Sequence, residues 1–307
     1  MQLPHLLGNS RLKEALASLP PSGLGSAVLL DGPAGIGKRT AAADLAAGLV
    51  CPAENGPCGV CPSCKRAAAA SHPDLIWLKE PEPGKGVKLE QVRDLRAQSF
   101  LRPSEAPFKV FVIPQADKLN IPSQNALLKV LEEPASSVFV LLCENREAML
   151  QTVRSRCKTF RLTPLSQPEL LQALSARSDA PAEELRAAAA QADGLLGRAL
   201  DILAGREKAG FSAARNFVRT LEGDELQVFL ACQELTKLTR EDYADFCDES
   251  CRLLTRSVTR SGSRRSLDIF EYLEKQRAML VQNPSLTALS GALAAFCGAL
   301  YERRNYD

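Results

Sequence analysis

The sequence predicts an α/β domain with a mostly parallel sheet, followed by two helical domains. Three observations support this fold class. Short apolar or β-branched runs alternate with helical patterns over residues 1–163, which is typical of β-α-β units. A glycine-rich segment, residues 32–38, connects a predicted strand to a predicted helix. After Pro164 only helical periodicity is found, with a break at residues 194–197.

The elements of the first domain follow from their residue types. Four predicted strands are runs rich in apolar, β-branched or aromatic residues, and they cover residues 27–30, 75–78, 109–113 and 138–143. A last short strand is predicted over residues 158–162. The predicted helices have apolar residues at helical spacing, and they cover residues 39–50, 89–98 and 123–131. We predict domain boundaries that give residues 1–163, 164–207 and 208–307. The polar stretch at residues 259–266 is predicted to be a loop.

Composition excludes several classes of protein. The chain of 307 residues is 45% hydrophobic and 24% charged, as ordinary globular proteins are. Lys and Arg total 38 against 36 Asp and Glu, and the net charge of +2 excludes a protein that coats nucleic acid by charge alone. No apolar run approaches the roughly 18 residues of a membrane span. Because no export signal is visible either, we expect a reducing cytoplasmic setting and no membrane partner.

Residues 32–38 match the phosphate-loop pattern G-x-x-x-x-G-K in the strand-to-helix context that the pattern requires. Glycines let backbone N–H groups curl around phosphate oxygens, and the helix N-terminus favours an anion. The alternative is a glycine-rich turn without a ligand, so the binding of ATP or ADP stays open. The candidate nucleotide-binding residues are Gly32, Gly35, Gly37, Lys38, Arg39 and Thr40.

The groups that would support ATP hydrolysis are missing. Arg39 occupies the position of the Ser or Thr that holds Mg²⁺, and Thr40 stands one residue too late. Hydrolysis also needs acidic residues at the end of an apolar strand, where this chain has Pro114 and Gln115. Asp117, further along, is expected to cap or solvate a turn. We therefore expect no intrinsic ATPase activity.

Four of the ten cysteines lie within residues 51–64. Pro and Gly residues between them provide turns that let four thiolates converge on one tetrahedral ion. We predict one structural Zn²⁺ per chain, and an iron–sulfur cluster is the alternative because it also uses four thiolates. The predicted ligands are Cys51, Cys58, Cys61 and Cys64.

Taken in order, these features resemble a known family, the clamp-loader AAA+ subunits of bacterial DNA polymerase III. The resemblance rests on the phosphate loop, the cysteines after it, the segment NALLKVLEEP at residues 125–134 and the segment SRC at residues 155–157. It implies that residues 1–163 form an AAA+ P-loop (RecA-like) domain. The helical remainder fits a lid domain over 164–207 and a collar domain for oligomerisation over 208–307.

Two branches of this family are candidates. The gamma/tau branch is the working ATPase, whereas the delta prime branch has an eroded ATP site, which Arg39, Pro114 and Gln115 match. Gly197 also stands where active subunits carry a sensing arginine, with Arg198 displaced by one position. An active gamma-type ATPase is the alternative. A stand-alone zinc-bearing nucleic-acid adaptor is a third reading, against which the net charge argues.

The resemblance implies an ATPase-deficient stator in a hetero-pentameric ring with gamma/tau and delta subunits. This ring loads the sliding clamp onto primer–template DNA in the bacterial cytoplasm, at the nucleoid and replisome. Any DNA-directed DNA polymerase (nucleotidyltransferase) activity would belong to the complex. Arg156 would act in trans as an arginine finger at a neighbour's ATP. Alternatively, Arg154 and Arg156 only complement a helix C-terminus, and the role of the basic segment 252–265 stays open.

Overall fold

The computed structural model describes residues 1–79, 89–132, 134, 136–261 and 263–304. They divide into two compact units, Met1–Ala204 and Gly205–Asp307. The three-domain division at residues 163/164 and 207/208 stays a prediction. Within the described ranges, we find no helix with the length and apolar character that a membrane crossing requires.

The first unit contains a five-stranded parallel sheet. Its strands are β1 (Ala27–Asp31), β2 (Leu75–Trp77), β3 (Lys109–Ile113), β4 (Ser137–Cys143) and β5 (Lys158–Arg161). Their order across the sheet is β2-β3-β4-β1-β5, and every neighbouring pair is parallel. Strands β3 and β4 are buried along their whole length, as continuous apolar runs predict. The expected α/β fold with a parallel sheet is confirmed.

Helices cover both faces of this sheet. They are α1 (Ser10–Ala17), α2 (Lys38–Val50), α3 (Pro62–Ala68), α4 (Leu89–Ser99), α5 (Ile121–Glu132) and α6 (Gln151–Arg154). Val28 and Val112 pack with residues of α1 and α2 on one face. Phe111 and Phe139, whose rings stack 5.2 Å apart, pack with α4 and α5 on the other. Successive residues of a strand point to opposite faces, so Phe111 and Val112 enter different clusters.

Three further helices complete the first unit. They are α7 (Gln167–Ser175), α8 (Ala182–Ala192) and α9 (Leu196–Leu203). These helices share a small apolar cluster that includes Leu170, Leu174 and Ala189. Asp193 and Gly194 have positive φ angles and separate α8 from α9, close to the break predicted at residues 194–197.

All regular secondary structure among the described residues of the second unit is helical. Its helices are α10 (Ala209–Thr220), α11 (Glu225–Glu234), α12 (Arg240–Ser261), α13 (Arg264–Met279) and α14 (Leu286–Arg304). Phe217, Tyr243 and Phe246 are fully buried in its core. The predicted loop at 259–266 is wrong, because α12 and α13 extend into it and position 262 lies outside the described residues. The polar residues of this stretch suggested a loop, but one of them, Ser263, caps α13 by accepting a hydrogen bond from the Ser266 N–H.

Candidate functional site

The predicted phosphate loop connects β1 to α2 and borders a cavity of about 500 Å³. Gly35 and Gly37 have φ angles of +76° and +104°, which glycine adopts without strain. The cavity wall also includes residues 5–7, the segments after β3 and β4, and parts of α9. The candidate nucleotide-binding residues that line it are Gly35, Gly37, Lys38, Arg39 and Thr40, while Gly32 accepts a hydrogen bond from Lys38.

Lys38 is folded back onto its own loop. Its Nζ atom donates to the backbone oxygens of Gly32 (2.6 Å) and Pro33 (2.8 Å). The same atom lies 3.7 Å from a carboxylate oxygen of Glu144, and the Lys38 side chain is only 10% exposed. Burial lowers the pKa of Lys38, and nearby acidic groups, Glu144 first, oppose that shift. The ammonium group is therefore held by acceptors of this chain.

Arg39 occupies the position at which a Mg²⁺ ligand is missing. Its guanidinium carbon lies 5.4 Å from the ring centroid of Trp77 on β2, within cation–π range. The guanidinium is permanently positive and has no acceptor atom of its own. It therefore cannot ligate a divalent cation. Thr40 follows in the first turn of α2 and also lines the cavity.

The residues after β3 bring no carboxylate to the cavity. Pro114 and Gln115 line it at the positions where hydrolysis needs acidic groups. Asp117 instead accepts the backbone N–H groups of Glu144 (3.2 Å) and Asn145 (3.0 Å) through Oδ2. Asp117 thus fixes the turn that follows β4.

The first turn of α9 contacts the tip of the phosphate loop through backbone atoms. The Gly197 N–H donates to the Gly35 carbonyl oxygen at 3.0 Å. A Cβ atom at position 197 would lie 2.8 Å from the Gly35 Cα, so a larger residue cannot fit without a shift. Arg198 is buried and lies 3.7 Å from the Asp193 carboxylate. The position of the expected sensing arginine therefore brings no charged side chain to the loop.

Two parts of the cavity wall are not predicted by the sequence. The backbone N–H and Nδ1 of His5 lie 2.9 Å and 2.7 Å from oxygens of the Asp44 carboxylate on α2. This contact holds residues 5–7 beside the phosphate loop. The sequence signal for this contact is Asp44, an acidic residue in an otherwise apolar stretch of α2 that is buried in the structure. Arg177, just after α7, also lines the cavity, and no motif marks it.

The four predicted metal ligands converge at one point. The Sγ atoms of Cys51, Cys58, Cys61 and Cys64 all lie within 4.8 Å of one another. The Cys51–Cys61 and Cys58–Cys64 sulfur pairs are each 3.9 Å apart. Sulfur ligands at about 2.3 Å from a tetrahedral ion are about 3.8 Å from each other. The arrangement therefore fits a single four-coordinate metal ion.

The surroundings of this four-cysteine cluster favour a bound cation. Cys61 caps α3, because its Sγ accepts the Cys64 N–H at 3.3 Å. Backbone N–H groups of Val60 and Cys61 lower the pKa of Cys58 to about 6, whereas burial raises the pKa of Cys64 to about 12. A cation among the sulfurs would supply the positive charge that keeps all four deprotonated.

Arg156 follows α6 on the surface of the first unit, with its side chain 37% exposed. Its Nη1 donates to the Thr152 carbonyl oxygen at 3.0 Å, and its Nη2 donates to the Glu132 carboxylate at 2.5 Å. Arg154 pairs with Glu147 at 2.7 Å instead. The Thr152 contact is the helix-end interaction of the alternative reading. The Glu132 contact shows that the same guanidinium also binds an anion.

Helix α5 separates polar from apolar residues. Asn125, Lys129 and Glu132 are exposed, while Leu127 and Leu131 are buried against the sheet. Position 133 of the NALLKVLEEP segment lies outside the described residues. The sheet core therefore accounts for the leucines of this segment, and its polar residues face solvent.

Two arginines of the basic segment 252–265 have partners within the second unit. Arg252 donates to the Glu249 carboxylate from Nε at 2.8 Å. The guanidinium carbon of Arg265 lies 3.6 Å from the ring centroid of Tyr301. These contacts explain both charges without a nucleic-acid ligand.

Comparison with known proteins gives related sequences. A family model described as "DNA polymerase III, delta subunit" matches residues 10–166, just over half of the 307 residues. DNA polymerase III subunit delta prime of Pseudomonas aeruginosa is 42% identical over 134 residues, or 43% of this chain and 41% of that protein. The Haemophilus influenzae subunit delta prime is 32% identical over 200 residues, or 64% and 60%. DNA polymerase III subunit gamma/tau of Mycobacterium bovis is 36% identical over 157 residues, or 49% and 26%.

The aligned segments span about half the length of the two delta prime relatives. The family match begins in α1 and ends just before α7. It includes the sheet, the phosphate loop, the four-cysteine cluster and Arg156. The resemblance to clamp-loader subunits is confirmed: the chain belongs to the DNA polymerase III delta subunit family, in which curated relatives carry the name delta prime.

Proposed function

We propose that this chain is a delta prime-type clamp-loader subunit of DNA polymerase III that does not hydrolyse ATP and lends Arg156 to a neighbouring ATPase subunit. The family and the names of the relatives support the complex. The observation that carries the proposal is the wall of the cavity, in which Pro114 and Gln115 stand where hydrolysis needs carboxylates. Proline offers no side-chain ligand, and an amide is no general base.

The two carboxylates that would have to replace the missing pair have other partners. Asp117 binds the backbone N–H groups after β4. Glu132 binds Arg156. An active gamma-type ATPase would have to release one of them and also find a Mg²⁺ ligand at Arg39. These contacts favour the ATPase-deficient function over the active alternative.

Arg156 has the chemistry of an arginine finger. Its guanidinium is planar, permanently charged and partly exposed, and it already binds a carboxylate. In a ring, the side chain would exchange Glu132 for oxygens of a neighbour's γ-phosphate. Such a residue stabilises the charge of the transferring phosphoryl group and raises kcat at that ATPase site by a factor of about 10³–10⁵.

The remaining parts of the chain have structural roles in this proposal. Residues 208–307 form the collar that contacts gamma/tau and delta subunits in a hetero-pentameric ring, and residues 164–207 form the lid. The assembled complex, and not this chain alone, contacts the sliding clamp and primer–template DNA. Zn²⁺ held by Cys51, Cys58, Cys61 and Cys64 would be structural, because four protein ligands leave no open coordination position.

The test uses the full chain mixed with purified gamma/tau and delta subunits. We expect co-elution in size-exclusion chromatography, and we expect Arg156→Ala to co-elute but to lower the DNA-stimulated ATPase rate of the complex. Arg154→Ala is the matched control, because it removes an arginine of the same turn that pairs with Glu147. A complex whose ATPase rate is the same with Arg156→Ala as with Arg154→Ala contradicts the arginine finger. Failure to co-elute contradicts the subunit assignment.

A further inference from the structure

The ammonium group of Lys38 has three N–H donors, and a phosphate loop uses this group to bind the β- and γ-phosphates of a nucleotide. Two acceptors within hydrogen-bond distance are the backbone oxygens of Gly32 and Pro33. The third neighbour is the Glu144 carboxylate at 3.7 Å, which forms an ion pair. The positive charge that an incoming phosphate would need is therefore already balanced within the chain.

Glu144 is held in this place by its backbone. It is the first residue after β4, and its N–H donates to the Asp117 carboxylate at 3.2 Å. The N–H of Asn145 donates to the same oxygen at 3.0 Å. Both Glu144 and Lys38 line the cavity of about 500 Å³. The backbone that carries the Glu144 carboxylate is thus held beside the place where nucleotide phosphates would sit.

We propose that Glu144 is a specificity-determining residue that keeps nucleotide phosphates out of this loop by acting as an internal counter-ion for Lys38. The inference rests on the proposed function, in which the loop performs no turnover. It adds that a carboxylate after β4 opposes the binding of nucleotide phosphates, and this carboxylate is separate from those that hydrolysis lacks after β3. Removal of the Glu144 charge therefore restores affinity for a nucleotide without restoring hydrolysis.

The test is a titration of the full-length chain with ADP in the absence of Mg²⁺. Trp77 is the single tryptophan of the sequence and lies 5.4 Å from the Arg39 guanidinium, so its fluorescence reports on this loop. Calorimetry gives the affinity independently. We expect Glu144→Gln to tighten ADP binding about tenfold, the scale of one like-charge contact at a partly exposed site. Because the Glu144 side chain is 45% exposed, the variant is expected to fold normally.

Two further variants make the result specific. Glu147→Gln removes the same charge from the same turn, but Glu147 is 70% exposed and pairs with Arg154, so it should leave ADP affinity near that of the wild type. Addition of Lys38→Met to Glu144→Gln should abolish the gain. Equal affinity of Glu144→Gln and wild type, or a gain that survives Lys38→Met, overturns the proposal.

ATP hydrolysis is measured in parallel with Mg²⁺. A Glu144→Gln chain that binds ADP tightly and still releases no phosphate supports both proposals. Hydrolysis by the wild-type chain would instead contradict the proposed function, whatever the effect of Glu144→Gln on ADP affinity.

Discussion

Gly197→Ala tests the close backbone contact between α9 and the phosphate loop. The new Cβ would lie 2.8 Å from the Gly35 Cα and 3.2 Å from its carbonyl oxygen. Both are backbone atoms of a residue with a φ angle of +76°, so they cannot move as a flexible side chain does. Overpacking of this kind costs about 1–3 kcal/mol. Loss of the Gly197–Gly35 hydrogen bond adds about 0.5–1.5 kcal/mol.

A gain opposes these two costs. Alanine exceeds glycine in helix propensity by about 1 kcal/mol in a helix interior, and by less in the first turn. We therefore expect Gly197→Ala to lower the free energy of unfolding of the first unit by about 1–4 kcal/mol. The measurement is urea unfolding of the full chain, followed by the fluorescence of Trp77, which lies in the same unit.

The matched control is Asp201→Ala, which also introduces alanine into α9 but at an exposed position. It should leave the free energy of unfolding within about 0.5 kcal/mol of the wild type. A Gly197→Ala chain as stable as Asp201→Ala would refute the reasoning, because the backbone contact would then impose no steric limit.

Two other predictions concern the metal cluster and a buried histidine. A strong chelator should release one Zn²⁺ per chain and speed hydrogen exchange in α3, which Cys61 caps, and metal analysis that finds iron or no metal would contradict this. Burial lowers the pKa of His72, whose Nδ1 accepts the Asp74 N–H at 3.1 Å. Because the unfolded chain then binds a proton that the folded chain resists, the free energy of unfolding should fall as the pH drops below 6.5. Urea unfolding at pH 7.5 and 5.5 measures the fall, and an equal fall in His72→Gln would count against this cause.

The sheet could be predicted because its strands are coded locally. Residues 110–113 and 138–143 are continuous apolar runs, and such runs are strands when both faces of a parallel sheet are covered. The four-cysteine cluster could also be predicted from the sequence, because short spacings with Pro and Gly turns bring the four sulfurs together. Both features depend on residues that are close in the sequence.

The contacts that define the cavity join residues that are distant in the sequence. Lys38 meets Glu144, His5 meets Asp44, and Gly35 meets a residue of α9. No periodicity or motif records such pairs, because they depend on how strands and helices are placed in the folded unit. Helix α3 was missed for a different reason: its prolines and cysteines suggested turns, but Pro62 is well tolerated in a first helical turn.

We expect this chain not to cleave ATP by itself, because Pro114 and Gln115 stand at the two positions after β3 where acidic residues would hold Mg²⁺ and water. The most direct test is phosphate release by the isolated full-length chain in saturating Mg²⁺–ATP. We predict a rate no higher than that of a blank without protein. Steady phosphate release that disappears in Lys38→Ala would contradict it.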